Sequence, residues 1–107
     1  MARLKAIGER GTWYATVAGE RLPCVHDAQM RPDGTYYATG VKDARHDDLL
    51  AAIIKSGKVI VRKSTRPHED ASWTSKGYVG VFTVADARIV DEVLTFRFVK
   101  RLADLQD

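Results

Sequence analysis

One segment of the chain has helical periodicity, whereas the other patterned segments alternate with a period of two. Its apolar residues recur at the spacing that places them on one face of a helix: Leu49, Leu50, Ile53 and Ile54. Acidic residues fall in the first turn and basic residues near the end, as the helix dipole favours. Gly57 stands where a left-handed C-terminal cap is expected. The pattern predicts a helix over residues 46–54.

The remaining patterned segments are short and rich in β-branched and aromatic residues, which indicates strands. We predict these over residues 12–18, 21–26, 35–41, 59–61, 78–84 and 94–98. Gly19-Glu20 and Arg31-Pro32-Asp33-Gly34 are typical of turns. Pro23 has no backbone N–H, so its strand is expected to lie at a sheet edge or to be irregular. Ala103 and Leu105 suggest a short turn at the C-terminus.

These elements predict the α+β class, with a small antiparallel β-sheet or partly open β-barrel of five to seven strands and one amphipathic helix. The strand over 78–84 is apolar on both faces, so we expect it to be central. Residues 64–76 are polar and have no period, which predicts a long loop that is either functional or mobile. The 107 residues contain no repeat or linker and fit a single domain, 1–107.

Composition narrows the class of protein. Hydrophobic residues make up 45% of the chain and charged residues 29%, which is typical of a globular protein and argues against disorder. No stretch has the apolar length of a signal peptide or of a membrane helix. Cys24 is the single cysteine, so an internal disulfide is impossible and we expect a reducing compartment, the cytoplasm, and no membrane partner.

The sequence offers little support for catalysis. Cys24 and His26 would share a strand face, but no oxyanion-hole loop follows, and a lone cysteine is commonly a buried structural residue. His68-Glu69-Asp70 lacks the spacing of metal ligands. Asp47-Asp48 is explained by the start of the helix, and Asp91-Glu92 by a turn. We therefore predict no catalytic residue, no metal and no cofactor.

The strongest functional signal is a basic run that contains no acidic residue: Lys55, Lys58, Arg62, Lys63 and Arg66. An aromatic residue, Trp73, follows it. Basic side chains attract phosphates, and an exposed aromatic ring gives a nucleobase a surface to stack on. The net charge of +3 is compatible with such a role. We predict a small domain that binds DNA or RNA through these residues: Arg62, Lys63, Arg66, Trp73, Lys76 and Tyr78.

Three alternatives stay open. The basic run can be a solvated face, with Trp73 folded back over an open barrel end. The chain can be a protein-interaction or self-associating module without catalytic activity, since small open sheets leave unpaired edges. A barrel mouth with His26, Tyr36, Trp73 and Tyr78 can hold a planar ligand. Thr74-Ser75-Lys76-Gly77 resembles an anion-binding nest but lacks the spacing of a phosphate loop.

Overall fold

The structure, a computed structural model, describes residues 3–39, 44–68 and 71–106. Its strands form one open sheet of seven in the order β1-β2-β3-β5-β6-β7-β4, and only the β3–β5 pair is parallel. This confirms the predicted α+β class. The strands are β1 (Ala6–Gly8), β2 (Tyr14–Val17), β3 (Glu20–His26), β4 (Thr35–Ala38), β5 (Lys58–Thr65), β6 (Thr74–Val90) and β7 (Val93–Asp104). No helix in the described ranges is long and apolar enough to cross a membrane.

The predicted helix is confirmed as α1 (Ala44–Ser56), between β4 and β5 in the chain. Leu49 and Ile53 are buried in a core cluster beneath it. Ile54, expected on the same face, is instead 62% exposed, because the helix packs through a narrower stripe than predicted. The helix ends as the sequence indicates: the N–H of Gly57 donates to the carbonyl of Ile53 at 2.8 Å, and Gly57 has φ of 65°.

The strand that contains Pro23 is regular and interior, so the prediction of an edge or irregular strand is wrong. It pairs with β2 over residues 20–23 and with β5 over residues 24–26. The N–H of Cys24 donates to the carbonyl of Trp13 at 2.6 Å. Hydrogen bonds alternate along an antiparallel pair, so the nitrogen of Pro23 points away from β2. Proline is tolerated there because the pairing with β5 begins only at the next residue.

β5 forms the centre of the core. Val59, Ile60 and Val61 have no exposed surface. Alternate residues of a strand point to opposite faces, and two clusters of buried side chains cover the two faces of β5. Val59 and Val61 belong to the cluster with α1, which also contains Val25, Tyr36, Ala38, Leu49, Ile53, Leu94 and Phe96. Ile60 belongs to the second cluster, with Ala15, Val17, Leu22, Cys24, Val81 and Leu105.

The loop predicted over 64–76 is present but shorter than predicted. Ser64 pairs with Ser75, and Thr65 pairs with Thr74, so strand extends to both sides and the connection is confined to residues 66–73. Register shifts on both sides of Arg62 interrupt the two-residue period, which hides the strand from a pattern search. β6 is central as predicted, between β5 and β7.

Other predicted boundaries can also be compared with the structure. The predicted C-terminal turn is wrong, because Ala103 lies in β7 and Leu105 bridges to Leu4. The turn at residues 31–34 is confirmed: the N–H of Gly34 donates to the carbonyl of Arg31 at 3.1 Å. The predicted strand over 35–41 is observed to Ala38, and its last two residues, 40 and 41, lie outside the described ranges.

Candidate nucleic-acid interface

Three neighbouring strands bring most of the predicted site together. β3 and β5 run parallel and place His26 beside Arg62. β5 and β6 run antiparallel and place Arg62 beside Tyr78. Arg66 and Trp73 stand at the two ends of the connection between β5 and β6. The topology therefore brings together the backbone positions of four of the six predicted residues and adds His26, which the sequence had offered only beside Cys24 and in a ligand-binding mouth.

Trp73 is held against the domain by two ring contacts. Its indole stacks on the imidazole of His26, with ring centroids 4.0 Å apart and planes inclined by 16°. The guanidinium carbon of Arg66 lies 4.1 Å from the centroid of the same indole. Trp73 is partly buried as a result. The ring thus lies against the surface between a histidine and an arginine.

His26 is neutral at physiological pH. Burial, reinforced by the positive charges of Arg62 and Arg66, lowers the pKa of His26 from 6.5 to about 4. Its backbone N–H donates to the hydroxyl of Tyr36 at 3.3 Å, which fixes the start of the side chain. The ring nitrogen Nδ1 is buried and has no hydrogen-bond partner among the described residues.

Two clefts adjoin this cluster. The first, which we call the helix cleft, has a volume of about 740 Å³ and is lined by Gly11, Thr12, Trp13, Tyr14, His26, Arg45, Asp48, Ala51, Ala52, Lys55 and Arg62. The second, the loop cleft, has a volume of about 490 Å³ and is lined by Ala28, Ser64, Thr65, Arg66, His68 and Trp73. His26 lines the first cleft and stacks on Trp73 of the second, so the two clefts are neighbours.

The electrostatics of both clefts favour an anion. Among the described residues, the helix cleft is lined by three cationic side chains, Arg45, Lys55 and Arg62, and by one carboxylate, that of Asp48. Of the described residues that line the loop cleft, Arg66 is the one with a permanent charge. Oppositely charged ligands gain most where a concave, low-dielectric wall focuses the field. The arrangement is therefore suited to phosphate or carboxylate groups.

The other predicted residues lie apart from the clefts. Lys63 and Lys76 line neither of them, and Lys76 is exposed on β6. Tyr78 packs against the second core cluster. Lys58, part of the basic run, forms an ion pair with Glu20 at 3.0 Å. The basic run is therefore divided among different partners, and only part of it faces the clefts.

Two suggested alternatives do not match the geometry. Tyr36 is 2% exposed and stacks on Phe96 with ring centroids 4.7 Å apart, so it belongs to the core and not to a ligand-binding mouth. Residues 74–77 begin β6, and Thr74 and Ser75 pair with β5, so the segment is part of a strand and not the loop that an anion-binding nest needs. The sequence reasoning also missed Arg45, whose spacing from Asp48 and Lys55 places all three on one helix face.

Cys24 and the described part of the triplet at residues 68–70 lie in different parts of the structure. Cys24 is buried, and burial raises the pKa of its thiol, with a partly compensating contribution from Arg62. Among the described residues, no group of three or more His, Cys, Asp or Glu side chains is placed to hold a metal ion. Of the triplet His68-Glu69-Asp70, the last two residues lie outside the described ranges.

Comparison of the chain with protein-family models, with curated proteins and with solved structures found no match. We therefore infer the function from the geometry and charge of the two clefts.

Proposed function

We propose that the protein binds single-stranded DNA or RNA across the two clefts. The observation that carries the proposal is the cluster of Arg62, His26, Trp73 and Arg66, which joins two positively charged clefts into one surface. Proteins that bind single strands combine a basic groove for the backbone with aromatic side chains on which bases stack. Both components are present within this cluster.

A base can stack on the face of the Trp73 indole that the Arg66 guanidinium covers. The guanidinium carbon lies 4.1 Å from the ring centroid, within the range of a cation–π contact, so it covers a face on which a base could stack. When a base stacks there, Arg66 moves away from the ring and contacts a phosphate of the nucleic-acid strand. Stacking requires an unpaired base, which favours single strands over duplexes. The lone, buried thiol of Cys24 is compatible with the reducing environment of the cytoplasm, which we propose as the location.

The test is fluorescence anisotropy of labelled single- and double-stranded DNA and RNA. Each phosphate neutralised in a single strand adds about 0.7 to the slope of log affinity against log salt. Contacts from Lys55, Arg62 and Arg66, which line the two clefts, would give a slope of about −2, or roughly a 20-fold loss between about 50 and 200 mM salt. Duplexes should bind more weakly than single strands of equal length.

A charge-matched pair of double variants locates the interface. Arg62→Gln with Arg66→Gln removes two positive charges at the clefts. Arg88→Gln with Lys100→Gln removes two from exposed positions on the β6–β7 hairpin that line neither cleft. We expect the first variant to lose at least about tenfold in affinity and the second to change little. Equal losses, or no binding by the parent at the lower salt, would refute the proposal. Thermal unfolding confirms that each variant is folded.

One observation favours a second candidate, a self-associating module. On the side away from β6, β7 pairs with β4 over Leu94–Arg97, and residues 99–103 have no strand partner there within the described ranges. Val99 and Leu102 in this stretch are 55% and 42% exposed. An unpaired edge with exposed apolar residues can pair with a second copy. A monomeric mass by light scattering over a wide concentration range would exclude this candidate.

A further inference from the structure

The helix cleft has the construction of a small-molecule site. Arg45, Asp48, Ala52 and Lys55 are spaced three or four residues apart, so they lie on one face of α1 and form one wall. The opposite wall comes from the segment around Trp13. Small side chains on the helix leave the space between the walls open, and the volume of about 740 Å³ falls in the range of roughly 300–1,000 Å³ typical of ligand sites.

Trp13 presents an aromatic surface with room beside it. Its nearest ring neighbour, His46, has a centroid 5.7 Å away and is tilted by 37°. The guanidinium carbon of Arg45 lies 5.9 Å from the indole centroid. These separations exceed the 4.0 and 4.1 Å contacts that hold Trp73. Trp13 also packs against the first core cluster, so a planar group would stack on the part of the indole that lines the cleft. The carbonyl of Trp13 accepts a hydrogen bond from Cys24, which holds its backbone in place.

His26 and Arg62 also line the cleft, and the two residues are Cα partners in the β3–β5 pair. The guanidinium of Arg62 adds a permanent positive charge to this part of the wall, and charged guanidinium groups bind phosphate strongly.

We propose that the helix cleft binds one nucleotide unit, with its base stacked on Trp13 and its phosphate held by Arg45, Lys55 and Arg62. The aromatic wall accounts for the base, and the excess of three cations over the single carboxylate of Asp48 accounts for the phosphate. The unit is either a free mononucleotide or one nucleotide of a bound strand. If the unit is part of a bound strand, the inference rests on the proposed function. If the unit is a free mononucleotide, the inference is independent of the proposed function.

The two tryptophans allow the site to be located by NMR. Their indole N–H signals are assigned with Trp13→Phe and Trp73→Phe. Titration with adenosine 5′-monophosphate should shift the Trp13 signal and leave that of Trp73 unchanged. Inorganic phosphate, which lacks the base, should bind roughly 5- to 150-fold more weakly, because a base stack contributes that much affinity. Adenosine, which lacks the phosphate, should also bind more weakly, because it cannot pair with the cationic side chains. A shift of Trp73 alone would overturn the proposal.

Filling the cleft gives an independent test. Ala52→Leu places a larger side chain on the helix wall, and Ala44→Leu makes the same change at an exposed position of α1 that does not line the cleft. We expect at least a tenfold loss of mononucleotide affinity in the first variant, because a bulky side chain excludes the ligand, and little change in the second. If Ala52→Leu does not fold, Arg45→Gln replaces it, because Arg45 is exposed; that variant should weaken the mononucleotide several-fold.

The outcomes separate this proposal from the proposed function. If an oligonucleotide binds but the Trp13 signal responds neither to it nor to the mononucleotide, the strand uses another surface and the nucleotide site is refuted. If the mononucleotide binds at Trp13 but oligonucleotides bind no tighter, and Arg66→Gln, a change outside the helix cleft, does not weaken them, the ligand is the free nucleotide and the proposed function fails. If neither probe binds, both proposals are refuted.

Discussion

Lowering the pH should destabilise this protein through His26. In the unfolded chain this histidine takes up a proton as the pH falls through 6.5, whereas in the folded chain it does so only near pH 4. Between these values the unfolded state binds more protons, so the free energy of unfolding decreases as the pH falls. A pH of about 5 lies roughly 1.5 pH units below the unfolded-state pKa of 6.5. At 1.36 kcal/mol per unit, the free energy of unfolding is therefore lower by about 2 kcal/mol at this pH. The imidazole is partly exposed, and screening by solvent reduces this to about 1–2 kcal/mol.

The measurement is urea unfolding followed by far-ultraviolet circular dichroism at about pH 7.5 and pH 5, a window that lies above the titration of ordinary carboxylates. His26→Gln should lose about 1–2 kcal/mol less than the parent between the two pH values, because glutamine does not titrate. His68→Gln, a change at an exposed histidine, serves as the control and should behave like the parent. The change in the free energy of unfolding between the two pH values is measured for each variant separately, so a loss of stability that is the same at both pH values does not affect the result. Equal losses in the parent and in His26→Gln would refute the reasoning.

Two further predictions concern the packing of the sheet and the thiol. A methyl group at Gly80 would lie 2.7 Å from the carbonyl oxygen of Ala103, a backbone atom of the adjacent strand, so Gly80→Ala should destabilise the protein by about 1–3 kcal/mol in urea unfolding. An unchanged free energy of unfolding would mean that β6 and β7 can move apart to accommodate the methyl group without loss of stability, which would contradict the prediction. Cys24 is buried with a raised pKa, so a thiol reagent such as dithiobis-nitrobenzoate should react at a rate that increases with urea. Rapid labelling of the native protein would contradict this burial.

The helix was predictable because its signals are local and agree with one another. The acidic first turn, the apolar stripe and Gly57 lie within a short stretch of chain, and none of them needs a distant contact to be interpreted. The strand alternation around Phe96 and the turn at Gly34 are of the same kind. Such features depend on backbone preferences and on which residues can be buried, and the sequence displays both directly.

The pairing of strands was not predictable from these signals. The parallel contact of β3 with β5 joins segments separated by β4 and α1, and no local pattern specifies it. The candidate site depends on this contact, since it brings His26 to Arg62 and lets Trp73 stack on His26. The sequence indicated the right residue types near Arg66 and Trp73, but the partner histidine and the helix cleft required the tertiary structure.

β5 shows how one strand serves both the core and the candidate site. Residues 59–61 are fully buried and apolar, with side chains in both core clusters. The pairing with β6 then shifts register on both sides of Arg62, directly after the buried apolar run. Bulges commonly redirect side chains where a sheet borders a functional surface. Substitutions at residues 59–61 should therefore act on the free energy of unfolding, and those at Arg62 and Arg66 on ligand affinity, because the fully buried run ends at Val61 and Arg62 lines the helix cleft.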